Sequence, residues 1–125
     1  MIETVTDITA DYWPVAERDW ENHYFYGLLN GKRYARLHLQ FIENICYIHL
    51  YIELWHIGVL RKMRSDFEEL KEVARGKGAT RLVGVVGFEG KELDKWQRML
   101  RAVGFPKASH VEIAGEARMM TVLEI

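Results

Sequence analysis

Apolar positions in this chain follow two periods, and the change from one to the other predicts its elements. From Val59 to Arg75, Leu60, Met63, Phe67, Leu70 and Ala74 recur every three or four positions, one stripe of a helix. Gly76 and Gly78 follow, residues suited to the positive φ that ends a helix. Arg81-Leu-Val-Gly-Val-Val86 is a β-branched run, apolar on both faces, as a central parallel strand should be. Helical spacing returns over Lys91 to Val103 through Leu93, Trp96, Leu100 and Val103, and Gly104-Phe105 closes it. A strand leading into that helix, strand and second helix forms a βαβ unit, and ligands bind where such strands end and such helices begin.

Upstream the period shortens to that of strands. Ile2 to Thr9 alternates weakly and is expected to open the sheet. Asp11 is a candidate N-cap, with Pro14 in the first turn, for a helix that ends near Asn22. Asn30-Gly31 is a type I′ turn dipeptide between two aromatic-rich runs, which places Tyr24–Leu29 and Lys32–Ile42 in a hairpin. Glu43-Asn44 is a second two-residue turn, leading to Ile45–Leu54. The chain closes with Ser109–Ile113, a turn at Ala114-Gly115, and Arg118–Glu124. The predicted order is β-α-β-β-β-α-β-α-β-β, an α+β mixed sheet in a single domain spanning 1–125.

If Glu43-Asn44 is the turn, the register of the second hairpin follows two by two. Phe41 then faces Cys46, Leu39 faces Ile48, Leu37 faces Leu50 and Ala35 faces Ile52, a core face. On the other face Gln40 meets Tyr47, His38 meets His49, Arg36 meets Tyr51 and Tyr34 meets Glu53. A face this polar and aromatic is either solvated or lines a cleft.

Composition narrows the partners. The 125 residues suffice for a real core, and 49% apolar with 28% charged residues is a globular profile. Seventeen basic against 18 acidic side chains, a net charge of −1, argue against an electrostatic nucleic-acid or membrane-surface binder. The single cysteine, Cys46, excludes an internal disulfide and suits a reducing cytoplasm; it falls on the core face, an inert thiol. Met1 to Ala10 lacks the apolar core of a signal peptide, and His49, Glu53 and His56 interrupt the longest apolar stretch, so no membrane span is expected.

The element order resembles the GNAT superfamily of acyl-CoA-dependent N-acetyltransferases, including the short GNAT-like proteins of tailed bacteriophages. Glu72-Val-Ala-Arg-Gly-Lys-Gly-Ala-Thr-Arg-Leu-Val83 is similar to the end of the family's cofactor-binding helix and its fifth strand. Trp96-Gln-Arg-Met-Leu-Arg-Ala-Val-Gly-Phe105 is similar to its next helix, with the Gly-Phe ending. The resemblance implies acetyl-CoA as cofactor and a small-molecule or protein amine as acceptor. It implies that Leu54, Trp55, His56, Ile57, Gly58, Val59, Arg61 and Lys62 bind the cofactor, and that Glu53 is the general base.

Two departures stand beside it. The family's Arg/Gln-x-x-Gly-x-Gly/Ala loop, whose N–H groups hold pyrophosphate at a helix tip, corresponds to Leu54-Trp-His-Ile-Gly-Val59, which has only Gly58 and no leading arginine. The family's frequent tyrosine acid corresponds to Leu100, which donates no proton. The second reading is therefore a catalytically silent GNAT-like module, such as a phage structural or host-interaction protein, for which a homodimer is natural. Outside the resemblance, His38 and His49 form a cross-strand pair with too few neighbours of ligand spacing for zinc, and no metal is expected.

Overall fold

The computed structural model describes residues 2–5, 20–55, 57–86, 90–113 and 115–125. Its elements are β1 (Ile2–Thr4), β2 (Glu21–Leu29), β3 (Lys32–Ile42), β4 (Ile45–Ile52), α1 (Ile57–Gly76), β5 (Arg81–Val86), α2 (Gly90–Ala102), β6 (Ser109–Ile113) and β7 (Glu116–Glu124). The strands form one seven-stranded sheet in the order β1-β2-β3-β4-β5-β7-β6. β4 and β5 are parallel and the other neighbours antiparallel, so the α+β mixed sheet read from the sequence is observed. The helix expected from Asp11 falls largely outside the described residues. Its expected end at Asn22 is corrected, because β2 already begins at Glu21, drawn into pairing by the long β3 through Glu21↔Phe41 and Asn22↔Gln40.

Both turns form as their dipeptides require. Asn30 and Gly31 have φ of 53° and 77°, and Glu43 has φ of 53°. The β3–β4 register from Ile42↔Ile45 to Ala35↔Ile52 is the one expected. One partner breaks the pattern. Across β2–β3, Gly27 pairs with Ala35 but Leu28 with Arg33, leaving Tyr34 as the extra residue of a β-bulge. The bulge turns the Tyr34 side chain off the polar face, where it was expected opposite Glu53, and into the core, where it is fully buried. Its ring lies over Gly27, where a Cβ would sit 2.6 Å from a ring carbon. Any larger residue there overpacks the site, at a cost of about 1–3 kcal/mol.

The α1 stripe packs through Val59, Met63, Phe67, Leu70 and Ala74 on Leu37, Leu39, Cys46 and Ile48, with Leu60 only half-buried. From α2, Met99, Leu100 and Val103 join the same core, and Phe67 meets Phe105 edge to face at 5.6 Å. Each such buried side chain contributes roughly 1.5–3 kcal/mol of transfer free energy. Both helices therefore cover one face of the sheet. The opposite face carries His38, Gln40, Tyr47 and His49; His38 is 1% and Gln40 2% exposed, while Tyr47 and His49 are half-buried. Among the described residues no helix is long and apolar enough to cross a membrane.

Candidate functional site

β4 and β5 hold together for only four residue pairs, from Ile45↔Arg81 to Ile48↔Gly84. Beyond that point β4 stays with β3 as far as Ala35↔Ile52, while β5 stays with β7 as far as Val86↔Met119. The sheet thus parts in its middle, with His49–Ile52 along one lip and Val85–Val86 along the other. The bulge supplies a physical cause. The Tyr34 carbonyl accepts hydrogen bonds from the amides of both Glu53 (2.7 Å) and Leu54 (3.2 Å), which draws the end of β4 toward β3.

The parted strands point toward the start of α1. No acidic residue stands in the first turn of α1, so nothing there opposes the positive end of its dipole. Gly58 is half-buried, Val59 is fully buried in the core, and Arg61 is exposed. Lys62 does not reach into open space. Its Nζ lies 2.6 Å from Oδ1 of Asp66, a carboxylate 1% exposed that also accepts the Tyr34 hydroxyl. Burial alone lowers the Lys62 pKa, but the hydrogen bond to Asp66 and the charges of Asp66 and Glu69 outweigh it, and the net shift is upward. The Tyr34 hydroxyl is raised by burial and by Asp66. This buried trio ties the bulge to α1 beside the parted strands.

Trp55 spans the two halves of the site. Its indole meets Trp96 of α2 edge to face at 5.9 Å, and the Lys95 ammonium lies 4.3 Å from its ring centroid. This contact links the segment leaving β4 to the helix that follows β5. His56 lies outside the described residues, as does the side chain of Ile57. Glu53 lies at the exit of β4 with its oxygens in ion pairs, Arg33 Nε at 3.0 Å from Oε2 and Arg36 Nε at 3.1 Å from Oε1. Arg33 takes the place the bulge removes from Tyr34. Leu100, at the position of the family's acid, is part of the core.

On the sheet face opposite the helices, sequence reasoning missed how closely the polar residues interlock. His49 Nε2 lies 2.6 Å from Gln40 Oε1, and His38 Nε2 lies 2.8 Å from Asn22 Oδ1. The Tyr24 ring stacks on His38 at 4.4 Å, and the two imidazoles are 5.2 Å apart. Burial, and then the neighbouring His49, pushes His38 down to about 4, and burial lowers His49. Both rings are therefore neutral at physiological pH. Cys46 is pushed up to about 12 by burial, which makes it the inert thiol expected. The cross-strand register made the histidine pair legible; its partner Asn22 was hidden because that residue was read as helical.

No family model matches the chain, and no curated protein matches it. Its fold does match solved structures. It aligns with the aminoglycoside acetyltransferase AAC(6')-Ib in complex with paromomycin and acetyl-CoA at a TM-score of 0.62 and 12% identity, covering 82% of this chain and 64% of that one. An acetyltransferase of the GNAT family from Streptococcus pneumoniae aligns at 0.58 and 17% identity, covering 83% and 67%. The IAA acetyltransferase of Bacillus cereus aligns at 0.59 and 12% identity, covering 83% and 78%. The chain thus spans 64% to 78% of the length of these structures. With its parallel β4–β5 pair set in one mixed seven-stranded sheet, the chain has the fold of the GNAT acetyltransferases.

Proposed function

We propose that the protein binds an acyl-CoA in the parting of β4 and β5 and transfers the acyl group to an amine. The observation that carries this reading is the end of β4–β5 pairing at Ile48 and Gly84 while both strands continue. Backbone groups left without a neighbouring strand along His49–Ile52 suit a pantetheine arm, whose amides need such partners. Leu54 and Trp55 continue that lip, although the Leu54 amide already serves the Tyr34 carbonyl. The first turn of α1, with His56 and Ile57 before Gly58, Val59 and Arg61, would meet the pyrophosphate through backbone N–H groups and the helix dipole. Lys62, held by Asp66, adds positive charge nearby without touching the ligand. Glu53 was the base implied by resemblance, and its guanidinium partners suit it equally to fixing the exit of β4. Proximity supplies most of the rate in such a reaction, so few catalytic side chains are needed. Neighbours whose names include acetyl-CoA and amine antibiotics support the acyl donor and a small-molecule or protein amine as acceptor. We place this activity in the cytoplasm, as the one reduced cysteine suggests.

A second reading keeps the fold without the chemistry: a silent GNAT-fold module, in a phage or elsewhere, that works through its surface or as a homodimer. The Trp55 contact with Trp96 and Lys95 favours it, because it ties the segment leaving β4 to the helix that follows β5. Fold alone does not decide between them. Isothermal calorimetry with acetyl-CoA does. Saturable binding of one equivalent supports the first reading, and no heat at millimolar acetyl-CoA leaves the second.

A further inference from the structure

We propose that the outer side of α2 and the start of β6 form a docking surface for an extended acidic segment of a partner protein, laid as a further strand on the edge of the sheet. The surface is independent of the acyl-transfer reading: β7 stands between β6 and β5, so it lies apart from the parting of β4 and β5. Two hollows of about 530 and 440 Å³ lie along it. The first is lined by Asp94, Gln97, Arg98, Arg101, Phe105 and Lys107. The second shares Asp94, Gln97 and Lys107 and runs on to Ser109, His110 and Met119, so the two make one groove that ends on β6.

The charge of the groove sets the sign of its partner. Arg98, Arg101 and Lys107 are exposed, and no ion pair engages them among the described residues. Basic residues elsewhere in the fold are neutralised, Lys71 by Glu68, Arg75 by Glu72 and Arg81 by Glu124. Against the three groove cations the described lining sets one carboxylate, Asp94. Arg98 and Arg101 stand three positions apart and share one helix face, with guanidinium forks suited to carboxylates. The walls are fixed in advance. The Gln97 side chain donates to the Ala108 carbonyl (3.3 Å) and accepts from the Ala108 amide (3.0 Å). On the other side the hydroxyl of Thr121, 2% exposed, donates to the Pro106 carbonyl at 2.7 Å. A surface ordered before binding lowers the entropy cost of docking.

The strand edge sets the shape of the partner. β6 ends the sheet, and among the described residues it pairs with β7 alone, from Ser109↔Met120 to Ile113↔Glu116. Its outer backbone groups are therefore open to a peptide laid beside it, the mode of β-strand addition. His110 and Met119, paired with one another, both line the groove, so their face of the hairpin is the one turned to α2. Side chains of an added strand alternate between the two faces, and acidic ones on the α2 side meet Arg98, Arg101 and Lys107. A small anion would use the cations and leave the edge unpaired. A second copy's β6, Ser109-His-Val-Glu-Ile113, would bring a single carboxylate, a poorer match in charge.

The test uses the full chain and a short synthetic peptide of alternating Glu and Thr, labelled with a fluorophore and followed by anisotropy. Saturable binding is expected at low salt, weakening as salt rises past about 0.1 M, where the screening length is about 10 Å. Arg98→Glu and Arg101→Glu should each weaken it by roughly ten-fold or more, since repulsion replaces attraction. Arg64→Glu, the same charge change at an exposed position of α1, should stay within about two-fold. Amide hydrogen exchange is a readout that charge alone does not move: the peptide should slow exchange within Ser109–Ile113 and leave β1 unchanged. A peptide of the same composition with its Glu residues in one block should bind more weakly. The absence of saturable binding at millimolar peptide overturns the proposal, as does an equal loss in Arg64→Glu and Arg98→Glu. Equal binding by the two peptides, or unchanged exchange in β6, removes the added strand and overturns it too. So does an RNA oligomer of equal charge bound more tightly through the same arginines, or a dimer in sedimentation whose formation excludes the peptide. The assay contains no acetyl-CoA, so neither result depends on the acyl-transfer reading.

Discussion

The Tyr34 hydroxyl donates to the carboxylate of Asp66, joining the bulge of β3 to the middle of α1 through the core. Asp66 is 1% exposed and its second oxygen holds Lys62. Removing the hydroxyl leaves a buried charge short of one donor, which costs about 2 kcal/mol. Tyr34→Phe is therefore expected to lower the thermal midpoint by roughly 5–10 °C while keeping the fold. Because the Tyr34 carbonyl also draws in the end of β4, thermal unfolding should be accompanied by faster amide exchange at Glu53 and Leu54. An unchanged midpoint would show that the buried trio carries no stability.

Acid should destabilise the protein through the histidine face. An unfolded imidazole titrates near 6.5 and His38 in the fold at about 4, so between those values the unfolded chain binds more protons. The stability is fully present above pH 6.5 and falls as pH drops toward 4. It amounts to at most about 3 kcal/mol for His38, a side chain 1% exposed, and His49 adds in the same direction. Urea midpoints measured from pH 7.5 to 4.5 check this. A flat profile, or a gain in stability toward acid, would contradict the neutral buried pair.

Much of this frame was legible because short-range signals and the fold agree. Asn30-Gly31 and Glu43-Asn44 fix two turns, and with them the register of every β3–β4 pair down to His38↔His49. Spacings of three and four fixed α1 and α2 to within two residues at each end. What stayed hidden is non-local. Tyr34 reads as an outward residue by alternation, and only the bulge opposite Gly27 turns it inward. Asp66 carries no signal of its own in the sequence, since nothing in its neighbourhood announces a tyrosine arriving from 32 positions upstream. The parting of β4 from β5 follows from that same bulge, so the central feature of the candidate site could be inferred only from the family resemblance.

Trp55 offers a spectroscopic handle on the mouth of the site. Acetyl-CoA bound in the parting would sit beside the segment that leaves β4, so the emission of the Trp55 indole, which rests against Trp96 and the Lys95 ammonium, should shift and change in intensity. In Trp55→Phe the change should fall to a small fraction of that seen in the unmodified chain, with binding retained by calorimetry. A response of equal size in the variant would place the ligand away from Trp55.

The decisive measurement is a residue-resolved NMR titration of the intact chain with acetyl-CoA. Amide shifts should concentrate at His49–Ile52 on the β4 lip, at Val85–Val86 on the β5 lip and at Gly58–Arg61 at the tip of α1. Those of β1 and β6 should stay in place. No shifts at millimolar acetyl-CoA, or shifts confined to residues outside the parted strands, would contradict a cofactor site there.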